Sequence, residues 1–189
     1  MQKYIQPIIL ALLATVLGCS GIEVSQDFDQ ATNLSGLKTY DWKLGTQEKT
    51  GDVRTDNPLL DARIRAAVDR SLSERGYQRV SNRTPDFYVG YQYTVRSKVG
   101  SGNAGVGVGF GIGSFGRHGG IGISSGSGVS EYDEGTLVID FIDATNSDLI
   151  WRGTGTRRVS QHSDPEKRTK NINETVDKIL AQFPPKLKR

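Results

Sequence analysis

The strongest constraint on the fold is a pair of alternating segments joined by a short turn. Residues 134–144 read EGTLVIDFIDA, and residues 149–159 read LIWRGTGTRRV. A period of two is typical of a β-strand, because successive side chains point to opposite faces of the sheet. The polar residues 143–148 favour a turn. We therefore predict an antiparallel hairpin whose first strand carries three apolar side chains on one face: Leu137, Ile139 and Phe141.

Two segments have the period and end signals of amphipathic helices. Residues 57–77 begin with Asn57, a good N-cap, and Pro58, which fits the first helical position. Gly76 supplies the left-handed residue that follows a helix end. Residues 164–185 begin with the same Asx-Pro pattern and end at a pair of prolines. The apolar stripes are Leu60, Ile64, Ala67, Val68 and Leu72 in the first helix, and Ile172, Val176, Ile179, Leu180 and Phe183 in the second.

Alternation predicts further strands at 22–28, 37–42 and 86–99, with 77–80 as a candidate edge strand. The resulting order is strand, strand, helix, strand, insertion, strand, strand, helix, which is typical of the α+β class. We expect an antiparallel sheet with the two amphipathic helices packed on one face. A Gly-rich, hairpin-like insertion at 100–128 interrupts the sheet.

This insertion contains 13 glycines in 29 residues. Its segment GIGSFG matches the dinucleotide motif G-x-G-x-x-G, but no helix-forming sequence follows, so we interpret the match as chance. Val106, Val108, Phe110 and Ile112 alternate with glycine, whereas flexible linkers are polar. We hypothesise that the tract becomes ordered against a partner, a membrane surface or another copy of the chain. A flexible insertion is the alternative.

The N-terminus has the order of a bacterial lipoprotein signal. Lys3 precedes an apolar run at 5–17, which is too short to span a bilayer as a helix. Cys19, the one cysteine of the chain, follows. The stretch ATVLGCS resembles a lipobox, in which the chain is cut before the cysteine, its sulfur takes a diacylglycerol, and its amine takes a fatty acid such as palmitate. The alternatives are a secreted protein with a free thiol and an uncleaved anchor.

This assignment predicts the domain organisation and the location. Residues 1–18 are the lipoprotein signal peptide, and residues 19–189 form a single α+β domain that the lipid at Cys19 ties to a membrane. Ser20 stands where an aspartate would favour retention in the inner membrane. We therefore expect the outer membrane, with the domain facing the periplasm.

The charge pattern argues against nucleic acid as a partner. Lys and Arg outnumber Asp and Glu by only 24 to 21, and nucleic-acid binders normally cluster their basic residues. The densest basic patches are Arg157 with Arg158, and KRTK at 167–170. We interpret the second patch as a solvated helix face.

Five segments together resemble a family of bacterial envelope lipoproteins catalogued as domain of unknown function 4136. They read LKTYDW, NPLLDARIRAAVDRSLSERGY, TPDFYVGYQY, EGTLVIDFIDATNSDLIWRGTG and DPEKRTKNINETVDKILAQFPP, in the family's order over nearly all of the mature chain. The resemblance implies a lipid-anchored envelope component with no established activity. It offers no catalytic residues to carry over.

The residues themselves predict no catalysis, cofactor or metal. His118 and His162 have no zinc-ligand spacing. The acidic run at 131–134 lacks the spacing of a calcium loop and favours a solvated turn. We interpret Asp140 as a structural partner of Arg152 across the hairpin rather than as a catalytic acid. Four aromatic residues are expected to pack in the core rather than to line a ligand surface: Tyr40, Trp42, Tyr88 and Trp151.

We therefore expect a non-enzymatic, lipid-anchored envelope protein whose domain binds or scaffolds an envelope protein or a cell-wall ligand. Two alternatives stay open. One is an enzyme acting on cell-wall or lipid material, which would need clustered carboxylates in a deep pocket. The other is an envelope subunit that self-assembles through the Gly-rich tract. The sequence leaves the ligand and the oligomeric state open.

Overall fold

A computed structural model describes residues 21–45, 49–101, 129–160 and 163–185 and shows an α+β fold in which one six-stranded sheet carries two helices packed together. The order across the sheet is β1-β6-β5-β4-β2-β3. Within the described residues, neither helix has the length and apolarity that crossing a membrane requires. The elements are β1 (Ile22–Phe28), a 3-10 turn (Leu34–Gly36), β2 (Thr39–Trp42), α1 (Pro58–Glu74), β3 (Gln78–Arg79), β4 (Phe87–Ser101), β5 (Val129–Asp143), β6 (Leu149–Val159) and α2 (Pro165–Leu180).

The predicted hairpin is confirmed. Strands β5 and β6 pair antiparallel, with Phe141 opposite Trp151 and Ile139 opposite Gly153. The turn between them closes through the backbone N–H of Asp143, which donates to the carbonyl of Asp148 at 2.8 Å. Strand β6 has the predicted bounds, but β5 begins before the predicted start at residue 134.

The predicted helix signals are also confirmed. The Asn57 side chain accepts a hydrogen bond from the Leu59 N–H at 2.9 Å, and Asp164 accepts one from the Lys167 N–H at 2.6 Å. Gly76 adopts a φ of 85°, a left-handed conformation that glycine takes without steric cost. These three local devices set where α1 begins and ends and where α2 begins.

The prediction of an antiparallel sheet was wrong, because the sheet is mixed. Strand β2 pairs parallel with both β3 and β4, whereas β1, β4, β5 and β6 form antiparallel pairs. Helix α1 lies between β2 and β3 in the chain. A crossover through a helix returns the chain to the same end of the sheet, so the strands on either side of it run parallel.

Two aspartates fix α1 against the sheet. The Tyr91 hydroxyl on β4 donates to Asp61 at 2.6 Å, and the Tyr40 hydroxyl on β2 donates to Asp69 at 2.9 Å. The indole N–H of Trp42 donates to the same Asp69 oxygen at 3.0 Å. These bonds satisfy buried polar atoms that would otherwise destabilise the core.

Helix α2 approaches the sheet at two glycines of β6. A Cβ added to Gly153 would lie 2.5 Å from the Ile179 side chain and would also overlap the Trp151 ring. A Cβ added to Gly155 would lie 2.8 Å from Ile179. Phe183, just after α2, completes the contact by packing 5.2 Å from the Trp151 ring, measured between ring centroids. The residues of this core lie on the sheet face that α1 also contacts.

Some predictions fall on residues that the structure does not describe. Cys19, the signal peptide, residues 102–128 of the glycine tract and His162 all lie outside the described ranges. The acidic run at 131–134, predicted as a turn, lies within strand β5. Asp133 of this run is buried rather than solvated.

We expect Gly153→Val to lower the free energy of unfolding by about 1–3 kcal/mol or more, because the added atoms overpack the contact between Trp151 and Ile179. Urea unfolding measures the effect. The matched control is Thr154→Val on the opposite face of the same strand, for which a change within about 0.5 kcal/mol is expected. Equal effects at both positions would contradict the close approach of α2.

We also expect stability to fall as the pH rises above 10.0. Burial, followed by the hydrogen bonds to Asp69 and Asp61, raises the pKa of Tyr40 and of Tyr91 above the ordinary value of 10.0. In the unfolded chain both phenols lose their protons near that value, so their contribution is complete below pH 10.0 and is lost as the pH rises towards the folded values. Thermal unfolding across this range, with Tyr91→Phe as comparison, measures the slope. A slope that Tyr91→Phe leaves unchanged would contradict this linkage.

Candidate functional site

A cleft of about 350 Å³ lies between the first turns of the two helices and one end of the sheet. Val95, Gly135 and Arg157 lie side by side on β4, β5 and β6 and form its floor. Ile64 of α1 and Ile172 of α2 face each other across it as walls. The volume lies in the range of about 300–1,000 Å³ that is typical of small-molecule sites.

Most of the floor and inner wall is apolar. A Cβ added to Gly135 would lie 2.5 Å from the Tyr93 hydroxyl oxygen and 3.0 Å from the Val159 side chain. Glycine at this position therefore leaves room for both neighbouring side chains. The apolar lining residues are Val53, Leu60, Ile64, Val95, Leu137, Val159 and Ile172.

Four arginines and one carboxylate line the same cleft: Arg54, Arg63, Arg157, Arg168 and Asp133. Asp133 is only 7% exposed; it accepts a hydrogen bond from Ser97 Oγ at 2.6 Å and forms an ion pair with Arg54 at 3.3 Å. Arg54 is also paired with Asp52 at 2.6 Å. The carboxylate is thus held in place by its neighbours, while the lining as a whole favours an anion.

Arg157 is the most constrained of these cations. Its side chain is 18% exposed, its Nη1 donates to the Asn171 carbonyl at 2.9 Å, and it lies 3.4 Å from the Glu174 carboxylate. Its Nε is buried and has no hydrogen-bond partner among the described residues. An unsatisfied buried donor costs about 1–3 kcal/mol, more when charged, so the folded chain holds this guanidinium at a cost.

Electrostatics in the cleft act on Tyr93. Burial raises the pKa of its phenol, whereas the positive charges of Arg157, Arg168 and Arg54 lower it by smaller amounts. The phenol therefore stays neutral at physiological pH. Arg63 has neither a hydrogen bond nor an ion pair within the part of the chain that the structure describes. The cleft thus combines an apolar interior, a neutral phenol and arginine donors.

The residues singled out from the sequence lie elsewhere. The predicted pair of Asp140 and Arg152 is confirmed: two bonds of 2.6 and 2.7 Å join them on the helix-free face of the sheet. Tyr40, Trp42 and Trp151 are buried in the core, as expected. Tyr88, expected in the core, is half-buried on the helix-free face, because even-numbered positions of β4 point away from the helices.

The cleft itself was missed at the sequence level. In the sequence, Arg157 belongs to a basic pair with Arg158, and Arg168 belongs to the patch predicted as a solvated helix face. The two neighbouring arginines point to opposite faces of β6: Arg157 lines the cleft, and Arg158 stacks 4.0 Å from the Tyr132 ring. Across residues 21–45, 49–101, 129–160 and 163–185, no three His, Cys, Asp or Glu side chains are grouped as metal ligands would be.

Comparisons with solved structures find similar folds at low sequence identity. A point variant of the PelC dodecamer from Paraburkholderia phytofirmans has a TM-score of 0.48 and 14% identity, covering 85% of this chain and 95% of that chain. A second crystal form of the PelC dodecamer from the same organism has a TM-score of 0.48 and 13% identity, covering 85% and 96%. A PDZ domain protein from Parabacteroides distasonis has a TM-score of 0.50 and 12% identity, covering 88% of this chain but 37% of that chain.

A search of curated proteins finds no matching relative. The family model described as "Domain of unknown function (DUF4136)" matches residues 24–185, which include every strand and helix described above except the first two residues of β1. The chain therefore belongs to the DUF4136 family, as its sequence motifs indicated.

Proposed function

We propose that this protein is a lipid-anchored component of the cell envelope that binds an amphipathic anion in the cleft and catalyses no reaction. The lipid is carried by Cys19, and the domain faces the periplasm from the outer membrane. The observation that carries the proposal is Arg63, which lines the cleft beside its apolar residues and has neither a hydrogen bond nor an ion pair among the described residues.

The chemistry of the lining supports this class of ligand. Arginine presents several N–H donors in a rigid plane and binds carboxylate or phosphate through paired hydrogen bonds. Arg63 and Arg157 supply such donors from opposite sides of the cleft, one on α1 and one on β6. Seven apolar side chains in the same lining favour a hydrocarbon part in the same ligand.

The state of Asp133 supports binding rather than hydrolysis. Enzymes that hydrolyse glycosidic bonds usually use two carboxylates for acid-base catalysis. The described lining of this cleft contains a single carboxylate, that of Asp133. That carboxylate accepts from Ser97 at 2.6 Å and pairs with Arg54 at 3.3 Å. These two contacts hold the Asp133 carboxylate in place, and Asp133 in turn positions Arg54 at the cleft.

The anchor is supported by the order of residues before the fold begins. A short apolar run and Cys19 precede Ile22, the first residue of β1, by only a few positions. Ser20 favours the outer membrane. A domain tied this closely stays at the membrane surface, where amphipathic molecules are concentrated.

We expect the domain from Ser20 onward to bind myristate saturably and to bind tetradecanol, its uncharged counterpart, at least about tenfold more weakly. The difference follows from charge-assisted hydrogen bonds, which contribute about 1.5–3 kcal/mol each. Arg63→Gln is expected to weaken myristate binding about tenfold, measured by titration calorimetry.

The matched control for this experiment is Arg96→Gln. Arg96 is exposed at the same end of the sheet but lies on the helix-free face, so this variant removes one charge without changing the cleft. Thermal unfolding checks that both variants are folded. Equal affinities of the two variants, or no saturable binding, would overturn the proposed site.

We expect the mature protein isolated from membranes to begin at Cys19 and to carry the mass of a diacylglycerol and one further acyl chain. Mass spectrometry of its N-terminal peptide measures this. Cys19→Ser is expected to leave the chain uncut and unacylated, because the sulfur is the acyl acceptor. An unmodified thiol in the native protein would contradict the anchor.

A further inference from the structure

We infer that the ligand of the cleft is an anionic phospholipid from the membrane that carries the protein, with one acyl chain on the apolar floor and its phosphate on the arginines. This inference rests on the proposed function, because it requires both the anchor and the cleft. It adds the source of the ligand and the orientation of the domain on the bilayer.

The position of the tether is the first step. Ile22, the first residue of β1, lies directly opposite Arg157 of β6. Two residues, Ser20 and Gly21, separate Cys19 from Ile22, and the three steps of extended chain between them span at most about 11 Å. Neighbouring strands are about 5 Å apart. The backbone of Arg157 is therefore held close to the acylated cysteine.

The position of the cleft is the second step. Its floor contains the row of Val95, Gly135 and Arg157, and this row continues across the sheet to Ile22. The lining also includes Arg54 and Ser163, which come just before the two helices begin. Cleft and tether thus share one end of the domain, and the tether turns that end towards the bilayer.

Charge and volume select the occupant. The four arginines of the lining outnumber by one the three carboxylates that pair with them, which are Asp52, Asp133 and Glu174. This excess of positive charge favours an anion, and juxtamembrane Arg and Lys are attracted to anionic headgroups. The cleft volume of about 350 Å³ is near the lower limit for ligand sites. The cleft therefore suits one acyl chain, or part of it, and the phosphate rather than a whole phospholipid. A phospholipid that stays partly in the bilayer fits this small volume, because its second acyl chain remains among the membrane lipids.

The helix-free face of the sheet offers a different surface at the same end. Two ion pairs lie on it, Lys98 with Glu134 and Arg152 with Asp140. Thr136 and Thr156 lie between these pairs, within 3.3 Å of each other. The cleft adds a recess with apolar lining, which an acyl chain requires, so lipid contact is expected there.

The test uses the full, acylated chain reconstituted into phosphatidylcholine vesicles. The vesicles contain a minor fraction of either phosphatidylglycerol or phosphatidylcholine with a photoreactive diazirine in the acyl chain. After illumination, the attached peptides are mapped by mass spectrometry. We expect phosphatidylglycerol to label the segments that contain Leu60 and Ile172, at a yield several-fold above that of the zwitterionic probe.

The variants separate cleft binding from general surface attraction. Arg63→Gln is expected to reduce labelling of the cleft about tenfold, the loss expected for one charge-assisted hydrogen bond, and Arg96→Gln to leave it unchanged. Equal labelling by the two lipids, equal loss in both variants, or labelling confined to the helix-free face would overturn the inference. If the cleft binds myristate but phosphatidylglycerol does not label it, the inference fails while the proposed function stands. If neither binds, both fail.

Discussion

The structure depends on the close approach of α2 to β6. At Gly153 and Gly155 the strand has no side chains on its helix-facing side, so Ile179 reaches the sheet itself. Two residues further along β6, Arg157 and Val159 place full side chains on that same face, and the cleft begins there. The residues of a single strand therefore determine where the helix seals the core and where it leaves a recess. A side chain at either glycine would displace α2 and change the cleft at its other end.

The second wall of the cleft is fixed by polar contacts rather than by apolar packing alone. Helix α1 places Asp61 and Asp69 two turns apart, and each accepts a hydrogen bond from a buried tyrosine of the sheet. These bonds set both the position and the rotation of α1. Arg63 and Ile64 lie within one helical turn of Asp61, so the same contact determines how they lie relative to the floor. A site held in this way is largely formed before a ligand arrives, which reduces the ordering cost of binding.

The features that could be predicted from the sequence are those whose signals are local. The alternation in β5 and β6, and the Asn57 and Asp164 caps, each lie within a few residues of the structure that they specify. The parallel pairing of β2 with β4 depends on where α1 packs, and no short segment encodes it. The burial of Asp133 depends on Ser97 and Arg54, which are 36 and 79 residues away in the chain. The cleft belongs to this second class, because it is formed by three strands and two helices.

The two faces of the sheet also differ in how they handle charge, and this difference bears on function. On the helix-free face Asp140 satisfies Arg152 through two bonds, which leaves that guanidinium little capacity for an external anion. In the cleft, Arg157 binds a backbone carbonyl through one nitrogen and leaves another without a partner among the described residues. Arg157 also lies 3.4 Å from the Glu174 carboxylate, so a cation of the cleft with capacity for an external anion is Arg63, which has neither a hydrogen bond nor an ion pair among the described residues. The row of the sheet that carries Arg157 continues to Ile22 at the start of β1, so a lipid anchor at Cys19, as proposed, places the cleft next to the membrane.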